Sequence, residues 1–537
     1  MKNMKILFTL ILLMIPSFAL GAEEVEIGQV VVTATRTEAA IKSIPSSVTV
    51  ITANEIEKQQ VRYVNEVLRE VPGLDVVQSG GPGRNTSIFI RGSNSGHLLV
   101  MIDGVQVNSP TTGSYDFANL TVDNIERIEV VRGPQSTLYG SDAMAGVINI
   151  ITKKGTGKPA FTIKAEGGSY DTKKGNVAVR GGNKKLDYSL AFSMIDSDGF
   201  SAASEANGNT EEDGYENKTL SAKMGYQISE NINVGLTARR FDAEAEIDGG
   251  SSGLGVDDPN YTMETDSTTI AAKLKHTVGE MWDHTIKASL TTEKFKLVEG
   301  DPDPFNWYNS NIDTKIKTLD WQNNFYLLDE AHTITVGAEY EKAEAENESA
   351  ALDHSVSNKA IYLQDKISAI DSKLNLLAGM RYDDHKKFGS ETTYKVAVSY
   401  LIDKTGTTLR SSYGKAFKAP TLNDLYYNNP AVGRGNPNLE PEKSKGYDLG
   451  IEQELIDKHV IFSATYFKND FKNLIEWVEY APWLYEPQNV AEANTKGWEF
   501  DLEVKAVENL IIGASFTRTD TEDEAKKRQL IRRPEKK

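Results

Sequence analysis

From Phe161 to the end of the chain, large apolar side chains fall on every second position. In Leu186-Asp187-Tyr188-Ser189-Leu190-Ala191-Phe192-Ser193-Met194 the even positions are large and apolar and the odd ones polar or small. A period of two marks a strand with one face in an apolar medium and the other in water. The pattern recurs at Leu220, Ala222, Met224 and Tyr226; at Ile232, Val234, Leu236 and Ala238; at Leu374, Leu376, Ala378 and Met380; at Val460, Phe462, Ala464 and Tyr466; and at Trp498, Phe500, Leu502 and Val504. Each segment lasts roughly ten residues, the length of a tilted membrane strand, and about seventeen such strands are predicted between Phe161 and Arg518. Short polar turns such as Gly181-Gly182-Asn183 alternate with long stretches such as residues 196–218, 243–266 and 415–445. Outer-membrane barrels keep short turns on one side and long loops on the other. A large soluble all-β protein shares the period but requires blade-like repeats, and none is visible.

Before Phe161 the pattern is mixed. Between Ala53 and Glu70, Ile56, Val61, Val64, Val67 and Leu68 fall at helical spacing until Pro72-Gly73 stops them, which predicts one helix. Residues 45–155 read as an α+β domain of about a hundred residues. Residues 23–44 are short, polar and extended in character, and Gly155 to Pro159 reads as a hinge into the strands.

Composition narrows the compartment. Lys2 and Lys5, the apolar run Ile6–Ile15 and the small residues Ala19-Leu20-Gly21-Ala22 form a secretory signal over residues 1–22. No later apolar run reaches the ~18 residues of a membrane helix, so a membrane-embedded chain must span as a closed barrel, where strands satisfy the backbone. The absence of cysteine excludes a disulfide framework and thiolate metal sites. A net charge of -18 argues against nucleic acid as a partner. A soluble acidic secreted protein shares that charge.

One stretch carries more. Ile125 to Lys154 reads Ile-Glu-Arg-Ile-Glu-Val-Val-Arg-Gly-Pro-Gln-Ser-Thr-Leu-Tyr-Gly-Ser-Asp-Ala-Met-Ala-Gly-Val-Ile-Asn-Ile-Ile-Thr-Lys-Lys. Physically it is two β-branched runs and a Gly/Pro/Ser connection. Its wording resembles the end of the plug domain of TonB-dependent outer-membrane receptors, as do Ile88-Phe89-Ile90-Arg91-Gly92 and Val100-Met101-Ile102-Asp103-Gly104-Val105. The resemblance implies an α+β plug domain (residues 45–155) inside an antiparallel transmembrane β-barrel (residues 160–537) in the outer membrane of a Gram-negative bacterium. It also implies import of a scarce chelate powered by the TonB energy-transducing complex. Plugged transporters close with roughly 22 strands. Relatives carry more strands after an Arg-Arg-Pro like Arg532-Arg533-Pro534, so about five C-terminal strands are expected to be missing, unless the barrel is a smaller one.

The resemblance also assigns residues. Val30, Val31, Val32, Thr33, Ala34, Thr35 and Arg36 resemble the TonB box, an extended segment free of the fold that adds to a partner's sheet edge. Its closeness to the signal leaves no room for a separate signalling domain. Arg91 and Arg132 are expected either to be solvated or to latch the plug to barrel carboxylates, with Glu442 and Glu499 as candidate partners. Outward plug loops supply the ligand candidates Arg84, Asn85, Ser109, Tyr115 and Phe117. Tyr426, Tyr427, Trp307, Tyr308, Trp483 and Tyr485 either join them or belong to the interfacial aromatic girdle.

Asp196, Asp198, Glu211, Glu212 and Asp213 form two acidic clusters in one loop. Hard cations take several oxygen ligands at flexible geometry, and the loop's place resembles the calcium-ordered loop of cobalamin receptors. No cofactor is otherwise required, and an acidic solvated loop is the plainer reading. Gly208 to Tyr215 and Tyr413-Gly414-Lys415-Ala416-Phe417-Lys418-Ala419-Pro420 look like cobalamin-type receptors, with ferric siderophore receptors next. A passive porin or adhesin is the alternative of another class. Enzyme readings fail: Gly249-Gly250-Ser251-Ser252-Gly253 sits in a Gly/Ser loop and not at a strand-to-helix elbow, and the seven histidines lack metal spacing.

Overall fold

The computed structural model describes residues 30–31, 33–201, 203–248, 258, 260–299, 309–507 and 510–537. The expected signal segment 1–22, residues 23–29, Val32, Gly249–Gly253, Trp307 and Tyr308 lie outside them.

The N-terminal unit contains β1 (Val30–Val31), β2 (Ala39–Ala40), β3 (Val48–Thr52), α1 (Ala53–Gln59), α2 (Val64–Leu68), β4 (Leu74–Gln78), β5 (Thr86–Ile90), β6 (Leu98–Ile102), β7 (Val105–Gln106), β8 (Ile125–Arg132), α3 (Ser136–Tyr139) and β9 (Gly146–Thr152). Its main sheet runs β3-β8-β9-β6-β7, with β6 and β9 parallel and β4–β5 a separate hairpin. The expected single helix is two. Thr52 and Glu55 cap α1 reciprocally, and Gln60 ends it in the left-handed region at φ 56°. The Val64 amide then bonds to the Leu120 carbonyl, which restarts the chain as α2. Tertiary pairing overrides the helical period there, yet Ile56, Val64, Val67 and Leu68 still enter one core with Leu74, Ile90, Val100, Ile128 and Ile148. Each such side chain contributes roughly 1.5–3 kcal/mol by leaving water.

The rest is one meander: β10 (Ala160–Gly167), β11 (Lys173–Gly182), β12 (Leu186–Ser197), β13 (Tyr215–Ser229), β14 (Ile232–Glu246), β15 (Tyr261–Val278), β16 (Trp282–Glu299), β17 (Ser310–Leu327), β18 (His332–Asn347), β19 (Leu352–Ala369), β20 (Leu374–His385), β21 (Gly389–Ile402), β22 (Thr407–Lys418), then a loop with α4 (Leu422–Tyr426), β23 (Asn428–Asn429) and β24 (Gly433–Arg434), then β25 (Glu442–Leu455), β26 (Val460–Ala481), β27 (Leu484–Val507) and β28 (Leu510–Asp523). These strands form a 19-stranded sheet in sequence order, with β22 also pairing β25 across the loop. Among the described residues no pairing joins β10 to β28. The tail folds back on β28 through Thr517, Thr519, Glu535 and Lys537 backbone bonds.

The alternation read from the sequence sets the two faces. Leu190 is 47% and Phe192 44% exposed on the outside, while Ser189 and Ser193 are 2% and 4% exposed on the inside. Large apolar groups face lipid and small polar groups face the lumen, where the N-terminal unit sits as a plug. No helix among the described residues is long and apolar enough to cross a membrane.

Candidate functional site

The plug meets the barrel through two arginine-centred contacts on different walls. The first holds the segment read as the TonB box. β1 pairs antiparallel with β2, and Val31 and Ala34 are buried with Ile44, Val50 and Val131. The Thr33 amide (2.9 Å) and hydroxyl (2.6 Å) donate to Glu129 Oε2, and the Tyr139 hydroxyl donates to the Thr33 carbonyl at 2.8 Å. Gln364 and Gln322 on the wall donate to the carbonyls of Thr35 and Arg36. Arg36 donates to Asp320 Oδ2 on β17 at 2.8 Å, to Glu339 Oε2 on β18 at 3.1 Å and to the Tyr362 hydroxyl at 2.8 Å, with the Tyr139 and Tyr362 rings each 4.8 Å from its guanidinium carbon. Burial disfavours its charge, but Tyr362, Asp320 and Glu339 outweigh burial and hold it protonated well above the usual arginine range. The expectation of a segment free of the fold is therefore corrected. Val31 and Thr33–Arg36 are docked, because their small, β-branched and hydrogen-bonding side chains all find partners inside the lumen; Val30 is in the strand.

The second contact is the latch. Arg91, fully buried at the end of β5, donates through Nε and Nη2 to the two oxygens of Glu499 (2.8 and 2.9 Å) and through Nη1 to Asp448 at 3.1 Å. The Phe467 ring lies 4.9 Å from its guanidinium carbon. A bidentate, charge-assisted pair is the strongest form of this interaction. Burial is outweighed by Glu499 and Asp448, so Arg91 keeps its proton. Its backbone, at φ 49°, is pinned by its amide donating a hydrogen bond of 2.7 Å to the Gly73 carbonyl.

Arg132 stands beside it, bonded to the Pro72 carbonyl at 3.0 Å and 3.6 Å from Glu499. Burial first, and Arg91 nearby, push its pKa down against the pull of Glu499. Glu499 is thus the common partner of both arginines. Glu442 is not: it accepts from His97 Nε2 at 3.1 Å and from the Ile475 amide, a plug–barrel contact of another kind. Asp448 was missed, although Glu442, Ser444, Gly446 and Asp448 share the buried face of β25 and the period of two points to them equally.

The ligand candidates divide. Asn85 is exposed and donates to Asp116, and Arg84 is half-buried with Nη1 lacking a hydrogen-bond partner among the described residues. Ser109 lines a cavity of about 70 Å³ with Asp142, Arg381 and His385. Tyr115 and Phe117 are buried in the plug core, edge to face at 5.0 Å, and not on an open loop surface. Their loop turns inward because buried Asn108 bonds Val100, Leu98 and Gly113 backbone groups. Of the loop aromatics, Tyr426 stacks on His354, Tyr427 meets Trp477 edge-on, Trp483 is exposed, and the Tyr485 backbone pairs with Gly433.

The acidic loop assembles differently from the expectation. Glu211, Asp213 and Asp248 place carboxylate oxygens within 4.8 Å of one another. Asp196, Asp198 and Glu212 are exposed and stand outside the group. Asp196 points away because it occupies an outward position of β12. Asp248 comes from beyond β14, too distant in sequence to be read as part of the same cluster.

Comparison with known proteins agrees with this geometry. Residues 164–537 match the family described as TonB dependent receptor-like, beta-barrel, and residues 40–147 match the TonB-dependent Receptor Plug Domain. The chain is 32% identical to a vitamin B12 transporter BtuB of Photobacterium profundum, over 99% of this chain and 85% of the relative. It is 31% identical to the vitamin B12 transporter BtuB of Vibrio vulnificus, over 91% and 77%. Among solved structures it resembles the siderophore receptor PirA of Acinetobacter baumannii, with TM-score 0.73, 22% identity, and 89% and 80% coverage. It also resembles the ferripyoverdine receptor of the Pseudomonas aeruginosa outer membrane, with TM-score 0.74, 17% identity, and 95% and 75% coverage. These two likenesses describe fold alone.

Proposed function

The chain belongs to the TonB-dependent receptors, and on that premise we propose that its cargo is a corrinoid of the cobalamin type. As a receptor of this family it is an outer-membrane transporter and not an enzyme, and it works with the TonB complex on a small-molecule chelate. The observation that carries the cargo reading is the 32% identity to a vitamin B12 transporter across 99% of the chain. Ferric siderophores are the alternative, drawn from the structural neighbours. Cargo would settle on the outer face near Arg84, Asn85 and Ser109, and the partner would draw on Val30–Arg36 from the other side.

Equilibrium binding decides between cargoes. The protein in lipid should bind cyanocobalamin tightly and a ferric catecholate weakly; the reverse order overturns the reading. Deleting residues 30–36 should abolish uptake while leaving binding intact, whereas persistent uptake would indicate a passive pore.

Two finer readings accompany this. Calcium would be held by Glu211, Asp213 and Asp248, whose oxygens converge as a hard cation requires. Chelator should then raise protease cleavage in residues 203–215, and no change would refute it. The barrel, of roughly 22 strands as plugged transporters have, would need further strands between β28 and β10. In support, β10 exposes Phe161 at 77% and Ile163 at 75%, and an unpaired edge cannot rest in hydrocarbon.

A further inference from the structure

Across β21, β22, β25, β26 and β27 the outward side chains fall into rows set by the strand register. Ser411, Tyr466 and Trp498 belong to one row, and Tyr400 and Ala464 to the next one toward the short turns. Ser411 and Ala464 are small among large neighbours, so the two rows enclose a groove of about 620 Å³ on the lipid-facing surface. Tyr400 and Trp498 stand at its diagonal corners.

Toward the long loops the rows turn basic. The row beyond Trp498 sets Lys468 directly opposite Lys496, and the one after it sets Lys415 opposite Lys445. Like charges directly opposite one another destabilise a sheet. Lys415 meets Glu391 at 3.2 Å and Lys468 meets Asp470 at 3.2 Å, whereas Lys445 and Lys496 are exposed and make no ion pair among the described residues. The chain carries a net charge of -18, and the long-loop ends of β13, β14 and β15 turn Glu216, Glu244 and Glu264 outward in a single row. The four lysines are therefore a local feature of this face.

We propose that this face docks the phosphorylated glycolipid of the outer leaflet, with its phosphates on the four lysines and an acyl chain in the groove. Phosphate oxygens between opposed ammonium groups turn their repulsion into charge-assisted hydrogen bonds, and two lysine pairs suit a lipid with two phosphates. Tyr413 and Tyr447, opposite each other beside these lysines, place the basic rows at headgroup depth, where long lysine stems carry the charge outward. The lysines lie on the long-loop side of the groove, which selects the outer leaflet. A soluble anion would leave the groove empty, and a neutral lipid would leave the lysines opposed. One amphiphile with both chemistries fits both features. The inference depends on the outer-membrane placement and not on the cargo.

The test titrates the full chain in nonionic detergent with purified diphosphoryl lipid A and counts bound lipid by native mass spectrometry, with heat-modifiable migration confirming the folded barrel. The triple variant Lys445→Gln, Lys468→Gln, Lys496→Gln should bind about tenfold or more weakly, because attraction to an anionic headgroup adds up lysine by lysine. Ala464→Phe fills the groove floor and should weaken binding about threefold or more, because chain methylenes lose their burial. A control triple on the short-turn side, Lys404→Gln, Lys458→Gln, Lys505→Gln, removes the same charge and should change nothing. Unchanged binding in the first triple overturns the headgroup site, and unchanged binding in Ala464→Phe overturns the groove. Equal loss in both triples shows bulk charge alone and overturns the proposal, as does phosphatidylglycerol binding as tightly as the diphosphoryl probe. Cobalamin has no part in the readout, so the cargo reading stands or falls separately.

Discussion

Arg36 and Arg91 make nearly the same bonds on two different walls. Each reaches two carboxylates on the barrel, each lies against an aromatic ring, and each has a left-handed backbone, at φ 56° and 49°. Their surroundings differ. Arg91 is 1% exposed, meets Glu499 bidentately and is flanked by the fully buried Phe467. Arg36 is 11% exposed, takes one oxygen from each of two acids and stands between chambers of about 430 and 670 Å³. Cavities flank the Arg36 pairs and not the Arg91 pair, so Arg36 is expected to release more readily, because water can take over each hydrogen bond as it breaks.

The largest test of that contrast is Glu499→Ala, which leaves Arg91 buried with Asp448 alone and Arg132 without its carboxylate. Removing one partner of a buried pair costs about 3–5 kcal/mol. The denaturant midpoint for exposure of plug tryptic sites should fall accordingly, and a change under 1 kcal/mol would mean that the latch is wet as well. Asp320→Asn should cost less, about 1.5–3 kcal/mol, since Glu339 and Tyr362 still hold Arg36. It should speed proteolysis at Arg36 and leave the rest of the plug protected. Tyr362→Phe removes the hydroxyl that accepts from Arg36 and donates to Asp320, and should cost about 1.5 kcal/mol by the same assay.

A further effect is set by pH. Burial raises the Asp75 pKa to about 6 against the pull of Lys537 and Arg533. The unfolded carboxyl titrates near 3.9, so this contribution is fully present below about pH 4 and is lost as pH rises through 6. Asp75 lies on the β4–β5 hairpin that carries Arg91, so its protonation should stabilise that hairpin on acidification. Asp75→Asn should flatten the dependence, read by hydrogen exchange of the hairpin.

Much of the architecture was legible because local rules decide it. The alternation at Leu186–Met194 sets lipid and lumen faces whatever the neighbouring strands are, and the wording of Ile125–Lys154 identified the plug. The site was less legible where partners come from afar. Thr33 to Arg36 reads as free extended chain, yet Asp320 lies 284 residues away from Arg36 and nothing local announces it. Glu442 and Asp448 share one face of β25, so periodicity names the face and leaves the choice to the register against the plug. Tyr115 and Phe117 read as ligand contacts because loop aromatics often are, and Asn108 turns them into core instead.

Hydrogen exchange of the full chain in lipid, with and without cyanocobalamin and the TonB periplasmic domain, tests the contrast most directly. The Thr33 amide, held by Glu129, should lose protection when both are present, while the Arg91 amide, held by the Gly73 carbonyl, stays protected. Simultaneous loss at both amides, or loss at Arg91 first, would contradict the division between a releasable contact and a fixed one.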